Sequence, residues 1–210
     1  MGPESLVKLG DVEGLRAGLS ADPALVSSRP DGRRTLLHEL TDWPGGLPRR
    51  LETLAVLVEF GADVNARMPG EGETPLMWAA SSDDAELIDA LVDAGAEIEA
   101  RGAVIGGGTA LDDAWAFGQW RAARALVARG ARPSLLAAAA LGLPLVAEGD
   151  VTEALWAACH GGQRATAEAL LARGADPSWV GWDSLTPAGA ARRSGHDDLA
   201  AWVEGRTGGG

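Results

Sequence analysis

Residues 72 to 101, GETPLMWAASSDDAELIDALVDAGAEIEAR, constrain this chain more than any other stretch, because they cannot fold alone. Thr74-Pro75-Leu76 predicts a helix start: Thr suits the cap, and Pro belongs just inside it, where a missing N–H costs nothing. Small residues follow at Ala79 and Ala80. Leu87, Ile88, Leu91 and Val92 then recur at helical spacing, and Gly95 predicts a left-handed stop. Two short antiparallel helices and a polar turn leave apolar faces uncovered, so the unit requires similar units on both sides.

Thr74-Pro75-Leu76-Met77-Trp78-Ala79-Ala80 with Gly95-Ala96-Glu97 resembles the ankyrin repeat, whose pattern is T-P-L-H-x-A-A followed by G-A-D. The resemblance implies an all-α stack of about six to seven helix-turn-helix copies, with protein binding as the commonest role. It further implies that first helices and hairpin tips line a concave groove.

Other segments read as altered copies. Residues 1–34 form a degenerate N-terminal cap, and Thr35-Leu36-Leu37-His38 opens a second copy interrupted by Asp42-Trp43-Pro44-Gly45-Gly46-Leu47-Pro48. The third copy exits through Gly102–Gly108. Four glycines there predict a flexible connection; a phosphate-cradling loop is disfavoured, since no strand precedes it and the P-loop Lys is missing. A fourth copy runs from Thr109 to Ala131, with Trp115 where a small residue is expected. Residues 133–152 break the period and read as a truncated fifth copy, its second helix barely one turn long. Glu153 to Asp176 form a sixth copy, followed by a hairpin bearing Trp179 and Trp182. Residues 186–205 close the stack as a C-terminal cap, giving one domain over 1–205 and a flexible tail at 206–210.

Composition narrows the partners. The net charge of −12 and a single lysine, Lys8, disfavour a nucleic-acid groove, which needs clustered cations. No apolar run reaches the roughly 18 residues of a membrane span. A lone cysteine, Cys159, excludes an intramolecular disulfide, and with no leader-like apolar run at the start the expected location is cytoplasmic.

No catalytic motif is recognisable. The resemblance gives His38 and His196 structural roles. Three histidines in separate copies lack zinc-ligand spacing, so neither metal nor cofactor is expected. Asp112, Asp113 and His160 are the only catalytic candidates. Matching first-helix positions place Trp78 and Trp156 with Asp112 and Asp113 on one face. The expected binding groove therefore comprises Trp43, Met77, Trp78, Asp112, Asp113, Trp115, Trp156, His160, Trp179 and Trp182. Its expected occupant is a protein with a basic or apolar face. The alternative is a hydrophobic small molecule in a pinched, even catalytic, pocket.

Overall fold

The computed structural model describes residues 2–70, 72–146 and 148–207, and all regular structure among them is helical. The helices are α1 (Pro3–Leu9), α2 (Val12–Ala21), α3 (Leu36–Thr41), α4 (Arg50–Glu59), α5 (Pro75–Ser81), α6 (Ala85–Asp93), α7 (Ala110–Ala116) and α8 (Trp120–Ala128). They continue as α9 (Leu135–Leu141), α10 (Val151–His160), α11 (Arg164–Ala172), α12 (Pro187–Arg193) and α13 (Asp197–Glu204). The chain packs as two compact units, Met1–Ala131 and Arg132–Gly210. The division falls at the start of the aberrant fifth copy.

In the first unit, α1, α3, α5 and α7 pack consecutively as one layer, and α2, α4, α6 and α8 as a second. Of these second helices, α4, α6 and α8 end alike. Gly61, Gly95 and Gly130 take positive φ, and the following Ala62, Ala96 and Ala131 each donate a backbone N–H across the turn, to Leu57, Leu91 and Leu126. This left-handed termination satisfies carbonyls the helix end would leave open. Copies are also tied laterally: Arg50 pairs with Asp84 and Glu86 on the next second helix. Asp84 is the N-cap of α6, accepting from Leu87 N–H. Asp83 caps the neighbouring copy, its Oδ1 accepting from Ala122 N–H of α8 at 2.8 Å. Asp83 and Asp84 are thus bonded, one within its copy and one between copies.

The second unit packs α9 on α10, α10 on α11 and α12, and α12 on α13. The second helix expected of the fifth copy is absent, since no helix lies between Leu141 and Val151 among the described residues. A proline at Pro144 and an αL residue at Gly142 prevent continuation. Of the predicted tail, Arg206 and Thr207 donate backbone N–H groups to Val203 and Glu204. Residues 208–210 lie outside the described residues.

Candidate functional site

The inserted loop after α3 is fastened to the third copy. Ser82 Oγ donates to the Thr41 carbonyl at 3.0 Å, and Gly45 lies so near Ser82 that an added Cβ would stand 3.1 Å from its side chain. Asp42 pairs with Arg34 at 2.9 Å. The loop thereby holds Trp43 in solvent at 73% exposure. Beside it is an open cleft of about 230 Å³ lined by Asp42, Trp43, Glu73, Trp78, Ser81, Ser82, Val104 and Phe117, drawn from three consecutive copies of the first unit. Val104 is 61% and Phe117 44% exposed, and Ile105 stands next to Val104 at 37%. Such a concentration of exposed apolar side chains on adjacent copies is the kind of surface that marks an interaction site.

Trp78 is half-buried and rests edge-on against His38, with ring centroids 5.4 Å apart. His38 Nδ1 lies 2.8 Å from Thr35 Oγ1, and Nε2 lies 3.2 Å from the Glu73 carbonyl, tying the second copy to the turn that opens the third. Met77 occupies the equivalent position one copy later and is buried; its sulfur accepts from Thr74 N–H.

Both candidate carboxylates of α7 are engaged. Asp112 Oδ2 accepts from Thr109 N–H at 2.8 Å and from Thr109 Oγ1 at 3.0 Å. Asp113 is fully buried and accepts from Val104 and Ile105 N–H groups at 3.3 and 2.8 Å. Burial raises the Asp113 carboxyl above its ordinary range, against the lowering effect of those two bonds. Neither residue lines the cleft. Trp115 also leaves the expected surface: it is 4% exposed, because it stands in register with the fully buried Ala80 of the preceding copy.

Trp156, Trp179, Trp182 and His160 come together in the second unit. Trp156 is 3% exposed: its Nε1 donates to the Leu185 carbonyl at 3.0 Å, the Trp182 ring meets it edge-on at 5.1 Å, and Arg193 lies over it. Trp179 in turn meets Trp182 at 5.7 Å. His160, buried, shares a 2.8 Å hydrogen bond with Ser194 Oγ. In this cluster an aromatic first-helix position is covered by the hairpin of the next copy. Trp182 remains partly exposed.

Residues 48–92 match the family model described as ankyrin repeats (many copies). The match spans α4 to α6, and the same left-handed stop recurs C-terminal to it, at Gly95, Gly130 and Gly174. The chain contains ankyrin repeats. Ankyrin repeats are generally protein-interaction modules. Comparison with curated proteins gives no match. No helix among the described residues is long and apolar enough to cross a membrane. Val104, Phe117, Ser81, Ser82 and Glu73, which share the ankyrin cleft, were not legible as site residues from motif position. The available signal was Val104-Ile105 itself, an aliphatic pair inside a glycine run.

Proposed function

We propose that this protein is a binding module whose first unit holds a segment of a protein partner in the Trp43–Trp78–Phe117 cleft, and that this segment is apolar with basic flanks. The exposure of Trp43 on a fastened loop carries the reading. Aromatic side chains that are partly exposed yet held in place make frequent hot spots, because little order is left to impose on binding. Glu73 and Asp42, the latter paired with Arg34, are the charged residues lining the cleft, and the chain carries a net charge of −12, which favours Lys or Arg beside the apolar anchor. At about 230 Å³ the open cleft falls below the roughly 300–1,000 Å³ of enclosed small-molecule sites. The bonding of Asp112 and Asp113 to their own backbone likewise supports binding over catalysis.

The test is selection of a displayed random peptide library on the intact protein. Enriched peptides should pair aromatic or aliphatic residues with Lys or Arg. Trp43→Ala should weaken them by about 2 kcal/mol, roughly thirty-fold, at an unchanged melting temperature. Failure to enrich any sequence, acidic winners, or full binding by Trp43→Ala and Phe117→Ser would each overturn the proposal. A small hydrophobic compound competing better than every peptide would favour the ligand reading.

A further inference from the structure

The run Gly102-Ala103-Val104-Ile105-Gly106-Gly107-Gly108 has the composition of a flexible connection, yet the structure holds it at every turn. Gly102, Gly106 and Gly107 adopt positive φ, which the missing Cβ permits. At the base of the loop Gly102 and Ala103 donate to the Gly108 carbonyl at 3.0 and 3.1 Å. Across it, Gly107 donates to Ala103 and Gly108 to Ile105. Ala103 is buried beneath. Two consecutive N–H groups, those of Val104 and Ile105, go to the carboxylate of Asp113. A buried carboxylate is unfavourable unless hydrogen bonds compensate it, and backbone donors to an ionised acceptor are among the strong ones. The result is an aliphatic pair standing in solvent on a backbone that is fixed from below.

Building on the proposed cleft, we infer that Asp113 is a positioning residue for partner binding: it holds the loop so that Val104 already stands as part of the cleft before a partner arrives. Asp113 itself touches no partner. Its effect is preorganisation, since a loop ordered in advance does not have to be ordered at the moment of association.

The probe is a peptide enriched by the library selection, and the readouts are affinity, melting temperature and amide exchange at Val104 and Ile105. In the wild-type protein these two amides should be protected. Asp113→Asn should remove the protection in the free state, recover it on saturation with peptide, and lower affinity about tenfold or more. A purely structural residue would not show that recovery. Val104→Ser, at an exposed position, should weaken binding with folding unchanged. If Asp113→Asn fails to fold, Asp113→Ser takes its place, and the wild-type exchange rates still decide: unprotected amides sink the inference. Should Trp43→Ala weaken the peptide while a folded, exchange-labile Asp113 variant binds as tightly as wild type, the positioning role is wrong and the cleft stands. If no peptide is enriched, or if Trp43→Ala and Val104→Ser both bind normally, the cleft reading falls and takes this one with it.

Discussion

His38 Nδ1 receives the backbone N–H of Thr35 at 3.3 Å, so the neutral ring carries its proton on Nε2 and donates it to the Glu73 carbonyl. A second proton would have to enter at Nδ1 against that N–H. Burial, the leading cause, also lowers the His38 pKa below its usual 6.5, with Arg29 and Arg34 adding to it. The unfolded chain then takes up a proton at higher pH than the folded one, so stability falls as pH drops below about 6.5 and levels off once the folded ring titrates. Denaturant midpoints measured from about pH 7.5 to 5 should show this decline, and His38→Asn should flatten it from a lower starting stability. Cys159 offers a second check. Its thiol is fully buried and pushed up to about 12, so a thiol reagent should leave the native protein unmodified and react only after unfolding. Of the single residues, His38 was legible through the family resemblance, which implies a ring hydrogen-bonded to neighbouring turns at its position. Trp115 was not: a large ring reads as exposed where Ala is usual, while its register with buried Ala80 points inward.

At the scale of the helices, stability is local to each contact between copies. Leu91 has no exposed surface and sits on α6, which packs on α4 and α6's other neighbour α8. Leu91→Ala should therefore cost about 2–5 kcal/mol by denaturant titration, against under ~0.5 for an exposed substitution. Gly161 marks a tighter approach. A Cβ there would lie 1.8 Å from the Ala140 carbonyl oxygen, so α9 and the end of α10 meet through a gap that only glycine leaves. Gly161→Ala should destabilise the protein by about 1–3 kcal/mol or more, as overpacking does, although its φ is ordinary for alanine. The elements themselves were readable from apolar period, Thr or Pro starts and Gly stops. The missing second helix of the fifth copy was misread as a short one, because Pro144 and the αL turn at Gly142 outweigh the apolar residues around them.

Across the whole molecule the excess of acidic over basic side chains gives a net charge of −12. Long-range attraction acts on encounter more than on residence, so raising salt should slow association of a basic peptide more than it speeds dissociation. Stopped-flow rates that ignore ionic strength would leave the charge a solubility feature only. The family and helical class could be read from the sequence because repetition states the same physical solution several times. The cleft could not, because its residues belong to three different copies and converge only through stacking.

Between α9 and α10 no helix lies among the described residues from Gly142 to Asp150, and Val146 is 89% exposed. The expected second helix of the fifth copy is missing from this span, so a change in length there need not shift a helix of a second layer. This is the place where the chain can be lengthened or cut with least penalty. A splice of several glycine and serine residues beside Val146 should express as a folded protein, and a protease specific for small aliphatic residues should nick the native chain there first.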